Sequence, residues 1–199
     1  GRMRVLISGG AAIDPKILQF FNDLGIIAVQ GYGLTECSPM TALNPDVEKD
    51  MKNESVGHLL PGMKVKIVDA DEEGIGEICF KGPNVMLGYY NNQEATDEVL
   101  KDGWFHTGDL GLMDDDGNVF IKGRSKNMLL GSNGQNIYPE EIEDKLNSLP
   151  LVNECLVIQS GDKLIGLVHP DYDEAQNLGL NAEDIKNIME ENRTQLNAV

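Results

Sequence analysis

Residues 4–36 read RVLISGGAAIDPKILQFFNDLGIIAVQGYGLTE, and their order decides the fold. Residues 4–8 are an apolar run of strand length, followed by the tight loop Gly9-Gly10-Ala11-Ala12. Asp14 is placed to cap a helix whose first position is Pro15, where a missing N–H costs nothing. Ile17, Leu18, Phe21 and Leu24 recur at helical spacing, and Gly25 closes the helix. Residues 26–30 return as a strand. Strand, loop, helix and strand in that order form the local unit of a parallel α/β sheet. Gly9-Gly10 and Gly31–Gly33 are then expected as loops at strand C-terminal ends, where open α/β sheets bind ligands. Beyond the second loop, Thr35 offers a hydroxyl to a phosphate oxygen, and Glu36 offers a carboxylate to a hard cation such as Mg²⁺. Taken alone, this is also the composition of an ordinary solvated turn.

The 199 residues are 41% hydrophobic, enough for a core in one large or two small domains. Lys and Arg number 16 against 33 Asp and Glu, a formal net charge of -17. Such acidity argues against a nucleic-acid partner, whose phosphates need a basic face. A nucleotide site here must work against the global field through backbone N–H groups, a few cations and a metal. Cys37, Cys79 and Cys155 lie far apart with no metal-ligand spacing, so neither a disulfide framework nor a zinc site is expected. With no signal peptide and no apolar run of transmembrane length, a cytoplasmic location is the expectation. Gly1-Arg2-Met3 reads as a cloning remnant leading straight into a strand, the pattern of a piece cut from a longer chain.

From about residue 54 the periodicity changes. Residues 65–68, 76–81 and 118–121 are short strand runs between Gly, Pro and Asp turns, which predicts a small antiparallel β-barrel over about 54–122. Residues 93–101 read as a short polar helix. After Arg124 a helix opens at Pro139, a hairpin follows over 154–159 and 163–169 around Gly161-Asp162, and residues 181–197 form a last helix capped by Asn181. The fold class is thus α/β plus α+β. Residues 1–124 close a larger α/β domain (a βαβ unit over 1–50, then the barrel), and 125–199 form a small hinged α+β domain.

Two further segments carry chemistry. Residues 103–111 read GWFHTGDLG, and residues 122–143 read KGRSKNMLLGSNGQNIYPEEIE. Asp109, in a Thr-Gly-Asp turn, is an acceptor-only group suited to a pair of ribose hydroxyls, or to capping its own backbone. Arg124 is suited to a ribose or phosphate, or to a surface ion pair. Together with residues 31–36 and 76–96 these segments reproduce, in order and at matching spacing, GYGxTE, GExCxxGxxxxxGYxxxxxxT, GWFxTGDxG and GRxKxxxxxxxGxNxxPxExE. The chain therefore resembles the adenylate-forming (AMP-binding) superfamily over about residues 4–143. The run from Lys126 to Pro139 is most similar to long-chain fatty acid–CoA ligases.

The resemblance implies specific roles. Gly9, Gly10 and Ala11 would lie along adenine and the acyl pocket. Gly31, Tyr32 and Gly33 would pack on the adenine face and the carboxylate substrate. Thr35 would contact the α-phosphate and Glu36 would bind Mg²⁺. Asp109 would take the ribose hydroxyls, with help from Arg124, and Lys126 would be the hinge on which the small domain pivots between adenylate and thioester formation. ATP/AMP, Mg²⁺ and CoA are the implied cofactors and co-substrates, and a fatty acid or other carboxylate the substrate. The family's upstream phosphate loop and a tail lysine are not among these residues, so the 199 residues alone are expected to be inactive. Rival readings are an adenylation domain loading an amino or aryl acid onto a carrier protein, and a non-catalytic nucleotide-binding relative. Peripheral membrane contact of the parent is compatible with the leading reading, and no signal for an oligomeric state is present. Among single residues, His58, His106 and His169 read as structural or solvated, Trp104 as a loop anchor, and Asp114-Asp115-Asp116-Gly117 as a hairpin turn rather than a calcium loop.

Overall fold

A computed structural model describes residues 4–11, 13–47, 51–131, 134–161 and 163–196. Gly1-Arg2-Met3, Ala12 and Asp162 lie outside the described residues. The chain divides into two compact units, Gly1–Lys126 and Asn127–Val199.

The first unit opens with β1 (Val5–Ser8), α1 (Pro15–Asp23) and β2 (Ile27–Gly33). β1 and β2 are parallel, with Val5 opposite Ile27 and Ser8 opposite Gln30. Asp14 caps α1 by accepting from the Lys16 N–H at 2.8 Å. Gly25, at φ 75°, takes the left-handed conformation that ends the helix. Leu18 is the buried residue of α1, while Ile17 and Leu24 stay exposed.

Gly31–Gly33 are not a loop. They finish β2 and pair antiparallel with β3 (Met40–Leu43), Gly31 opposite Leu43 and Gly33 opposite Met40. The reason is steric. A Cβ on Gly33 would lie 2.2 Å from the Pro39 carbonyl oxygen, and one on Gly31 would press on Met40 and Leu43 at 3.0 Å. The turn comes later, as a 3₁₀ segment at Thr35–Cys37 closed by Ser38 at φ 55°. β4 (His58–Leu59) completes this four-stranded sheet.

β5 (Lys64–Val68), β6 (Gly76–Lys81), α2 (Gln93–Val99), β7 (Leu100–Lys101), β8 (Trp104–Met113) and β9 (Val119–Arg124) follow. Their strands form a five-stranded antiparallel sheet ordered β5-β6-β8-β7, with β9 also on β8. The expected barrel is thus a curled half-barrel. Its inner face supplies Ile78, Phe80 and Val119 to a core shared with Ala42, Val56 and Met63, against which Tyr32 packs. The core therefore joins the two sheets and fixes the end of β2 relative to β8.

In the second unit, β10 (Leu129–Leu130) pairs with β11 (Asn136–Ile137), and α3 (Pro139–Asn147) follows. β12 (Val152–Ser160) and β13 (Lys163–Pro170) form the hairpin. α4 (Tyr172–Asn177), which the sequence reading did not include, precedes α5 (Ala182–Leu196). Asn181 caps α5 by accepting from the Glu183 and Asp184 N–H groups at 2.8 and 3.1 Å.

Candidate active site

The centre of the site is Asp109, 5% exposed, on β8. β9 runs antiparallel beside it and sets Arg124 directly opposite. Arg124 Nε lies 2.8 Å from Asp109 Oδ1, and its Nη1 donates to the Thr107 carbonyl at 3.3 Å. The other carboxylate oxygen accepts a hydrogen bond from the Tyr32 hydroxyl, which comes from β2. Burial, and then the neighbouring Asp109 charge, push the Tyr32 phenol above its ordinary range, so it is a donor at neutral pH. Arg124 meets Asp109 across the β8–β9 ladder, whereas Tyr32, 77 residues from Asp109, reaches it because the shared core joins the two sheets.

Asp109 sits in a bulge. β6 advances from Glu77 to Cys79 while β8 advances from Leu110 back to His106, so β8 carries extra residues there. Gly108 takes φ 72°, which favours glycine. Thr107 ties the bulge down by donating to the Ile78 carbonyl at 2.7 Å and accepting from the Asp109 N–H at 2.9 Å.

A cleft of about 450 Å³ opens beside this bulge, bordered by Glu36, Arg124 and Lys126 among others. Glu36 is half-buried, and its Oε1 accepts from the Tyr89 hydroxyl at 2.8 Å. That bond raises the Tyr89 pKa. Thr35 is exposed beside it. Gly9, Gly10 and Ala11 are exposed at the end of β1, where a Cβ on Gly9 would come 3.5 Å from the Gly31 carbonyl. The structure thus joins Tyr32, Asp109 and Arg124 by direct bonds. It sets Glu36 and Lys126 on one cleft with Arg124, and Gly9 against Gly31. Gly31 and Gly33 are strand residues packed on β3.

Two groups escaped the sequence reading as site residues. Tyr89 holds Glu36, a partnership hinted at only by its fixed place in the Gly88-Tyr89 motif. Glu77 and His106 border the cleft and bond one another, Nδ1 to Oε2, at 2.7 Å. His106 is therefore paired, not solvated. Trp104 lies beneath the ammonium groups of Lys66 and Lys81, at 4.8 and 5.9 Å, consistent with an anchor. Asp114 and Gly117 close a hairpin turn, and Lys52 pairs with Asp114 and Asp116 at 2.7 and 2.9 Å. Burial pushes the Cys37 thiol up to about 11, which leaves it no thiolate for nucleophilic work beside Glu36.

Residues 1–90 match the family model of AMP-binding enzymes. A long-chain-fatty-acid–CoA ligase from Salmonella typhimurium is 48% identical over 142 residues, 68% of this chain and 25% of that protein. A feruloyl-CoA synthase from an Amycolatopsis species is 39% identical over 171 residues, 83% of this chain and 35% of that protein. O-succinylbenzoate coenzyme A synthetase from Bacillus subtilis, solved with ATP and magnesium ion, superposes with a TM-score of 0.73 at 33% identity over 82% of this chain and 35% of that one. The chain spans about a quarter to a third of the length of these relatives. On sequence and structure alike, it belongs to the AMP-binding, adenylate-forming family.

Proposed function

We propose that these residues form part of an ATP-dependent, AMP-forming acyl-CoA ligase acting in the cytoplasm on a long-chain fatty acid. The carrying observation is the Tyr32–Asp109–Arg124 assembly, whose Arg124 lines a cleft together with Glu36. A carboxylic acid is a poor electrophile, and conversion to a mixed anhydride with AMP gives it a good leaving group for attack by the CoA thiol. Such phosphoryl chemistry needs positioning and charge neutralisation more than a protein nucleophile.

In this reading Asp109 accepts the ribose hydroxyls, oriented by Tyr32 and Arg124. Arg124 sits where it reaches the ribose or a phosphate. Thr35 donates to the α-phosphate. Gly9, Gly10 and Ala11 run along adenine and the acyl pocket, and Gly31–Gly33 back the same surface. Glu36 fits a magnesium site. Glu36 lines the cleft, one of its oxygens is fixed by Tyr89, and Mg²⁺ is commonly held by one or two carboxylates plus phosphates and waters. The ion, when bound, supplies neutralisation of phosphate charge. Lys126, exposed at the last position of the first unit, is the proposed hinge. The small domain is proposed to start beside it.

Likeness to the Salmonella ligase favours a fatty acid, and likeness to the feruloyl-CoA synthase favours an aryl acid as the second reading. The test is pyrophosphate release by a full-length chain containing these residues, across fatty, aryl and amino acids. Release should be greatest with long-chain fatty acids and should fall at least about a hundredfold in Glu36→Ala, as for loss of a transition-state charge contact. Preference for an amino acid would move the assignment to carrier-protein loading. No release with any acid would support a non-catalytic binder.

A further inference from the structure

The bulge that presents Asp109 is held from one side by a single carboxylate. Glu77 Oε1 accepts from the Gly108 N–H at 3.0 Å, and Glu77 Oε2 accepts from His106 Nδ1 at 2.7 Å. Glu77 is on β6, and both of its partners are on β8, flanking Thr107. An ionised carboxylate only accepts, so the proton of this pair rests on His106 Nδ1, which fixes the imidazole's orientation. Cys79 Sγ lies 3.3 Å from the same nitrogen. These three side chains offer ligand-type atoms within 4.8 Å of one another. Yet burial pushes the thiol up to about 12, and the 2.7 Å contact is a hydrogen bond. The cluster is satisfied within itself.

The geometry points to Glu77 as a positioning residue for the nucleotide sugar, with His106 as its brace. In a bulged strand the ladder no longer dictates where a side chain points. Gly108, at φ 72°, is the flexible member of Thr107-Gly108-Asp109. Its N–H is the group that Glu77 captures. Holding the Gly108 N–H fixes the Thr107–Gly108 peptide, from which the chain turns through Gly108 into Asp109, whose carboxylate already has Tyr32 and Arg124 on its two oxygens. A charge-assisted bond at that point is about twice as strong as a neutral one. Glu77 thereby acts on the ribose through Asp109, and this rests on the ribose role proposed for Asp109 above.

The test compares ATP with 2′-deoxy- and 3′-deoxy-ATP in pyrophosphate release by the full-length chain. A general loss of folding lowers all three alike, whereas loss of Asp109 positioning collapses the ratio between them. Glu77→Ala should lower the ATP to deoxy-ATP ratio of kcat/KM about tenfold, chiefly through KM for ATP. Glu77→Gln keeps an oxygen for Gly108 and should recover most of that ratio. His106→Ala should lower it about threefold, the effect of a lost brace. An unchanged ratio in Glu77→Ala overturns the proposal, as does equal loss on all three nucleotides. If Glu77→Ala does not fold, His106→Ala decides, and a wild-type ratio there overturns it. If the wild-type chain releases no pyrophosphate, it is the ligase reading that fails. Calorimetric binding of AMP against 2′-deoxy- and 3′-deoxy-AMP then reads the positioning effect directly, with the same expected ratios.

Discussion

Tyr32 serves two ends of one ring. Its face packs at 5.9 Å on Phe80, within the core that joins the sheets, and its hydroxyl donates to Asp109. Removing only the oxygen should separate these duties. Tyr32→Phe keeps the packing and leaves one oxygen of a carboxylate 5% exposed without that donor. Losing a hydrogen bond to a charged group costs about 1.5–3 kcal/mol. Urea denaturation should show a loss of that size with an unchanged slope, and a change under about 0.5 kcal/mol, the range of a neutral surface substitution, would refute the coupling. The residue types at this site were legible in sequence. Asp109 and Arg124 stood in ordered motifs, and antiparallel register makes them direct neighbours. The Tyr32 bond was not legible, because its partner is 77 residues away and no local rule brings β2 to β8. Glu77 was hidden similarly. Its function is to bond a main-chain amide, and a motif letter does not reveal which amide.

Among elements, the β1–α1–β2 unit follows from its sequence, since the cap at Asp14, Pro15 and the left-handed Gly25 fall where the pattern put them. The extent of β2 does not follow. Glycine disfavours strands locally, so Gly31 and Gly33 read as a loop, and the opposing strand overrides that preference. The bulged β8 was obscured in the same way, because Thr-Gly-Asp has turn chemistry inside a strand. Glycines with different duties should then respond differently to alanine. Gly33→Ala places a methyl 2.2 Å from the Pro39 carbonyl, which must push β3 and the Thr35–Cys37 turn away. A cost of about 1–3 kcal/mol or more is expected, as for overpacking. Gly9→Ala meets nothing nearer than 3.5 Å and should stay within about 0.5 kcal/mol. Thermal melts of the two variants side by side check this. Equal effects would show that Gly33 is not the packing glycine its surroundings describe.

At the scale of the molecule, charge and extent act together. A net charge of -17 repels polyphosphate, so on the function proposed above affinity for ATP would have to come from local donors and cations placed close to it. In the proposed site the Tyr32–Asp109–Arg124 assembly and Glu36 would form one wall, and Asp109 and Glu36 are themselves acidic. Gripping phosphate against that field takes further donors. The chain spans 35% of the B. subtilis synthetase solved with ATP and magnesium, so most of that protein has no counterpart among these residues. Wall and field together predict that the 199 residues on their own fold without binding Mg-ATP tightly. Calorimetry should place the dissociation constant above about 1 mM, no more than about 4 kcal/mol of binding energy. A full-length chain should bind at least about tenfold more tightly, and Glu36→Ala should remove most of that difference. Micromolar binding by the 199 residues alone would mean that Arg124 and the Asp109 bulge hold ATP unaided, and that the rest of the protein serves the acyl group and CoA instead.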